Sequence, residues 1–179
     1  LYGRNATSGA ILITTKAPSE ESASTAVIGM GINNSSKLQY VNSGKMGDNV
    51  YTRFSVSTRE TDGEHTNIYS NLKNVDFFED TTIRSRVLVD NGDSSWDFRA
   101  GVSEASGGTI NFNAVFALPA FQGFGTPGAD QFFKDVNNHQ FTYMFNVPPV
   151  NEQETADMSL KYTEDLGDGR ELSVIAAYN

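Results

Sequence analysis

Apolar side chains recur at every second position through seven stretches of the chain, the period of a strand with one apolar and one polar face. Across 96–104, Trp96, Phe98, Ala100 and Val102 alternate with Asp97, Arg99, Gly101 and Ser103. Across 50–59, Val50, Thr52, Phe54 and Val56 oppose Tyr51, Arg53, Ser55, Ser57 and Arg59. Across 83–89, Ile83, Ser85, Val87 and Val89 oppose Arg84 and Arg86. Residues 25–32 set Ala26, Ile28, Met30 and Ile32 against a face that is mostly small, and 156–162 and 172–178 follow the same rule. A weaker alternation at 37–42 turns Leu38 and Tyr40 to the apolar side. No stretch longer than a turn or two carries a helical period. The pattern predicts an all-β, antiparallel chain.

The connections between these stretches alternate in length. Short ones fall at 44–49, 90–94 (DNGDS) and 164–170 (EDLGDGR), rich in the Gly, Asn and Asp that tight hairpins favour. Long ones fall at 62–76 and at 106–154, the second holding four of the five prolines. So long a loop counts against a compact soluble domain. In membrane-spanning barrels, by contrast, short turns at one end alternate with long loops at the other. A soluble β-sandwich, burying the apolar face against a second sheet, shares the periodicity and stays open as the second architecture. Trp96, Tyr162 and Tyr178 belong to apolar sets near strand ends, where a barrel carries its interfacial aromatics.

Composition sharpens the choice. Only 38% of the 179 residues are apolar, below the usual ~45–50%, and a barrel with lipid outside and a polar lumen needs no apolar interior. The excess of 22 acidic over 13 basic residues, net −9, argues against nucleic acid as a partner. The absence of cysteine removes disulfides, thiolate zinc sites and thiol nucleophiles. No apolar run approaches the roughly 18 residues of a membrane helix. No Ser/His/Asp set, phosphate loop or carboxylate pair emerges, so neither an enzyme nor a cofactor is expected. His65 and His139 stand alone in loops without metal-ligand spacing, and 165–169 reads as a turn rather than a calcium loop. With no leader at Leu1 and the alternation still running at Tyr178, the chain reads as an internal piece of a longer protein.

The first sixteen residues, LYGRNATSGAILITTK with Pro18 following, resemble the end of the plug domain of TonB-dependent outer-membrane receptors. Ser8 and Leu12 stand where that family often has Gly and Asn. Gly3, Ser8 and Gly9 suit a close-packed loop, and 10–15 a strand of the small sheet inside the plug. The resemblance implies a division into 1–19, the C-terminal end of the plug, and 20–179, the N-terminal part of a transmembrane β-barrel of about 22 strands. It implies a bacterial outer-membrane location, lipid around the wall and an extracellular small-molecule ligand, most simply a ferric siderophore or other iron complex. Energy would come from the TonB complex through a segment outside this chain. Oligosaccharide or cobalamin uptake is the alternative within the family. In this arrangement the short turns are periplasmic, and 33–36 and the two long connections are extracellular.

Two sets of candidate site residues follow. Phe121, Phe124, Phe132, Phe133 and Tyr143, in a loop with eight of the twelve Phe, could stack on a catecholate, heterocycle or sugar ring, or else form the loop's own small core. Lys134 is that loop's only Lys or Arg, so no cationic basket for an anionic ligand lies there. Arg4 of the plug motif, with Arg53, Arg84, Arg86 and Arg99 on the lumen-facing wall, are candidates for plug–barrel contact. The simpler reading is that the wall arginines, Arg59 included, neutralise nearby carboxylates such as Asp97 and Glu104.

Overall fold

The computed structural model describes residues 14–67, 70–108, 142–143 and 150–179. Strand β1 (Ala23–Met30) turns at 31–35 into β2 (Ser36–Lys45), and a short turn leads to β3 (Val50–Thr61). After a longer connection carrying β4 (Thr66–Asn67) and β5 (Leu72–Lys73), β6 (Phe78–Asp90) turns tightly into β7 (Ser94–Gly107). Beyond the longest connection, which contains β8 (Thr142–Tyr143), β9 (Asn151–Gly167) turns directly into β10 (Arg170–Tyr178). The long strands form one seven-stranded antiparallel sheet in which each pairs with its neighbours in sequence, β1-β2-β3-β6-β7-β9-β10. Every alternating stretch of the sequence coincides with one of these strands, except that Gly31 and Ile32 fall beyond the end of β1. The expected all-β antiparallel class is therefore present, as an open sheet with β1 and β10 at its edges rather than a closed barrel.

Turn chemistry explains the register. At the β9–β10 turn, Asp168 (φ 54°) and Gly169 (φ 73°) both take the left-handed conformation of a two-residue primed turn, whose twist matches that of the flanking strands. In the β6–β7 turn the Asp90 carboxylate accepts from the Gly92 amide at 2.9 Å, and the Asn91 amide donates to the Ser94 carbonyl at 2.8 Å. Asn33 and Asn34 supply the left-handed residues between β1 and β2 (φ 55° and 52°). Ile32, expected as strand, falls inside that turn because the Gly31 amide already donates back to the Ser35 carbonyl.

With register set, side chains sort into cross-strand rows. On one face Val50, Val89, Trp96, Tyr162 and Val174 stand abreast. Thr52, Val87, Phe98, Leu160 and Ala176 form the next row. Phe54, Ser85, Ala100, Met158 and Tyr178 form the third, and Tyr40, Val56, Ile83, Val102 and Ala156 the fourth. Four rows at two residues each span about 20 Å along the strands. Past them this face turns acidic, with Glu104 opposite Glu154 and Glu60 opposite Glu79.

Among the described residues no second layer covers the apolar rows. Trp96 is 44% exposed, Met158 52% and Val102 52%, and Val75 is the only buried hydrophobic residue among the described ones. Trp96 packs on Tyr162 across β7 and β9 with ring centroids 4.5 Å apart. Tyr178 is the last residue of β10 and lies on the apolar face, and its register with Met158 places it two rows further from the short turns than the Trp96–Tyr162 pair.

Candidate functional site

The opposite, polar face concentrates charge. Register brings Arg53 on β3, Arg86 on β6 and Arg99 on β7 into one row, and Arg84 lies opposite Gly101 in the next. Like charges directly opposite one another destabilise a sheet, so such a row needs counter-charge. Asp97, one row nearer the short turns, supplies it. Its carboxylate receives Arg86 Nε at 2.8 Å and Nη2 at 2.8 Å, a two-pronged fork, and Arg99 Nη2 at 2.6 Å and Nε at 3.1 Å. With only 7% of its surface exposed, Asp97 is held by two guanidinium groups. Arg59 pairs separately with Asp80 at 2.7 Å and lies 5.2 Å from the Phe78 ring centroid. Glu104, expected as a neutralising carboxylate, points the other way, because it shares the parity of Trp96.

The segment before β1 lies against this face. The Thr15 carbonyl accepts from Arg86 Nη1 at 3.1 Å. Further on, the Ser19 amide and hydroxyl each reach the Ser43 hydroxyl at 3.0 Å. Thr14 and Thr15, the end of an expected strand, are unpaired with any strand, since the one bond made by the Thr15 carbonyl runs to a side chain. Segment and sheet border an open recess of about 450 Å³ lined by Lys16, Arg53, Arg84, Arg86, Arg99 and Asp157, with Thr15 and Ser159. Glycine at 101 lets Asp157 take this position, as a Cβ there would stand 2.9 Å from its carboxylate.

A second cluster ties down the connection between β3 and β6. Asp76 accepts from the Glu64 amide at 2.8 Å and the His65 amide at 2.7 Å through Oδ1, and lies 2.8 Å from His65 Nδ1 through Oδ2. Partial burial opposes ionisation of Asp76, yet these hydrogen bonds outweigh it and hold the carboxyl below its ordinary range. The Asn33 amide donates to Glu64, and Asn34 to Asp62 at 2.5 Å, so the β1–β2 turn is bonded to the same loop. Within the connection β4 pairs antiparallel with β5, and it also pairs parallel with β8 of the connection between β7 and β9.

The structure thus gathers Arg53, Arg84, Arg86 and Arg99 into one site. Arg4 and the aromatics Phe121, Phe124, Phe132 and Phe133 lie outside the described residues, and Tyr143 is described only through its backbone pairing in β8. Sequence reasoning missed Lys16 and Asp157 as members of the arginine site, and missed the carboxylate partner of His65. Asp157 was reachable in principle: counting strand positions outward from the tight turns aligns it with Gly101 and Arg84. No protein-family model matches the chain, and neither does any curated protein or solved structure.

Proposed function

We propose that the chain is part of the wall of a TonB-dependent outer-membrane receptor, with residues 1–19 ending its plug and 20–179 supplying barrel strands. One observation carries this reading: a meander with four continuous apolar rows that the described residues leave uncovered, backed by a face of arginines and carboxylates. An uncovered apolar face is costly in water and favourable in lipid, while ionised rows suit a hydrated lumen. The alternation of connections accords with it. The short turns 46–49, 91–93 and 168–169 gather at one end of the sheet, and the turn 31–35 lies at the other with the strand ends Thr61, Phe78, Gly107 and Asn151 that flank the two long connections. The motif from Leu1 to Lys16 adds the family.

In this role the apolar rows meet lipid, the arginine face looks onto the plug, and the long connections meet the ligand outside the cell. The ligand is proposed to be a ferric siderophore or another iron complex, and transport to depend on the TonB complex. Measuring the protein in outer-membrane fractions from cells grown with and without iron tests the proposal. Strong induction on iron starvation is expected. An unchanged level with induction on a polysaccharide would shift the cargo to carbohydrate, and absence from the outer membrane would overturn the family.

A further inference from the structure

The tight turn between β6 and β7 carries the chain's only asparagine followed by glycine, Asn91–Gly92. That pair has a chemistry of its own. With no side chain on Gly92 to block the approach, its amide nitrogen can attack the side-chain carbonyl carbon of Asn91 and close a succinimide ring. A bond forms between the Gly92 nitrogen and Asn91 Cγ, the Gly92 amide gives its proton to hydroxide or water, and Nδ2 leaves from Cγ as ammonia. Water then opens the ring at either carbonyl, giving aspartate or, where the backbone now runs through Cγ, isoaspartate. Asn91 and Gly92 are both exposed, and no described atom lies within 4 Å of the place where a Cβ on Gly92 would stand, so water and base reach the pair.

Both reacting groups are engaged while the turn is closed. The Gly92 amide donates to the Asp90 carboxylate at 2.9 Å, which retains its proton and sets a negative charge beside the nitrogen that must lose it. The Asn91 carboxamide is bonded to the side chain of Asn49, in the neighbouring β2–β3 turn, and the Asp90 amide donates to the Asn49 carbonyl at 2.8 Å. Asn49 thus joins the two turns through its side chain and its backbone together. Ring closure needs the Gly92 nitrogen to leave Asp90 and the carboxamide to leave Asn49, so it proceeds from the opened turn at a rate scaled by the opened fraction. We propose that Asn91 is a modification site guarded by Asp90 and Asn49, converted to aspartate and isoaspartate when the two turns part. The product acts on the sheet itself. It sets a third carboxylate between Asp90 and Asp93, and the isoaspartate form lengthens the turn by a methylene in the hairpin whose register brings Arg86 and Arg99 onto Asp97. A turn that has once opened is thereby marked. The chemistry is independent of what the apolar rows face.

The test incubates the full chain, refolded in detergent micelles with its β content checked by circular dichroism, at neutral pH. Liquid chromatography with mass spectrometry then separates the asparagine, aspartate and isoaspartate forms of the tryptic peptide Val87–Arg99. Conversion at position 91 is expected in the folded chain, at least about tenfold faster in urea, and faster as pH rises because the Gly92 proton must leave. Asn49→Ala and Asp90→Ala should each speed conversion in the folded chain about threefold to tenfold, the loss of one hydrogen bond. Asn49→Ala leaves the sequence of the reacting turn untouched, so its rate in urea should equal that of the wild type. Arg59→Gln, which breaks the Arg59–Asp80 pair at the far end of the same strands, should change the folded rate less than about twofold. No conversion at 91 in either condition, conversion as fast in the folded chain as in urea, or folded rates unmoved by both Asn49→Ala and Asp90→Ala would each overturn the proposal.

Discussion

Asp97→Asn is the most informative single change on the polar face. It preserves shape but removes the charge that lets Arg86 and Arg99 stand abreast. The Arg86 fork is the larger part of the effect, since the two side chains are 14% and 9% exposed and two bonds of 2.8 Å join them. Arg99 is 37% exposed, so its share is screened and counts for under about 1 kcal/mol. Breaking one charge-assisted fork and leaving a half-buried guanidinium uncompensated costs roughly 2–4 kcal/mol in all. Trp96, the only tryptophan, is the residue before Asp97 and packs on Tyr162, so its fluorescence reports on the strands that Asp97 helps align. With a urea slope of about 2 kcal/mol/M, the midpoint of the fluorescence transition should fall by about 1–2 M. Adding Arg86→Gln to Asp97→Asn should cost less than the sum of the single changes, because the orphaned charge is gone. A midpoint shift below about 0.3 M, or strictly additive losses, would refute the shared-carboxylate account.

Asp76, whose folded pKa is depressed, stabilises its loop fully above its unfolded value of about 3.9 and loses that contribution as pH falls through the folded value. Amide exchange at Glu64 and His65, corrected for intrinsic rate, should therefore accelerate below about pH 4, and an unchanged rate from pH 6 to pH 3 would contradict this. Gly63→Ala should open the same loop, because φ is +83° and the new Cβ would run into the Asp76 carboxylate; the cost is about 1 kcal/mol or more. Faster tryptic cleavage at Lys73 is the readout, and an unaltered rate argues that the loop tolerates the strain. In liposomes of brominated lipid, Trp96 emission should be strongly quenched if the apolar rows face acyl chains; unquenched emission would mean that another protein layer covers them.

Strand parity was legible in the sequence because each long strand has one apolar face, and a one-residue slip would reverse every side chain. Thus Arg53, Arg84, Arg86 and Arg99 could be assigned to a common face before any coordinates. Their gathering into a row required register, and register depends on where the tight turns close, as at Asp168 and Gly169. Glu104 shows the limit from the other side: being near the arginines in sequence did not put it on their face. The His65–Asp76 clamp was invisible because it joins residues eleven apart within a connection that has no periodicity. Tyr178 ends β10 as its alternation predicts, but its height relative to Trp96 required register, because position along a strand is not height in a sheet whose strands are staggered.

Every long strand pairs only with the long strands before and after it in sequence. Such a wall has no crossover to preserve, and its longest strand-to-strand partnerships skip only an intervening connection. Removing or duplicating one hairpin, such as β9 with β10, would leave every other pairing intact and keep all turns at their own ends. A wall of this kind can be widened or narrowed by genetic events two strands at a time, so its circumference can change in evolution without any rewiring of the strands that remain.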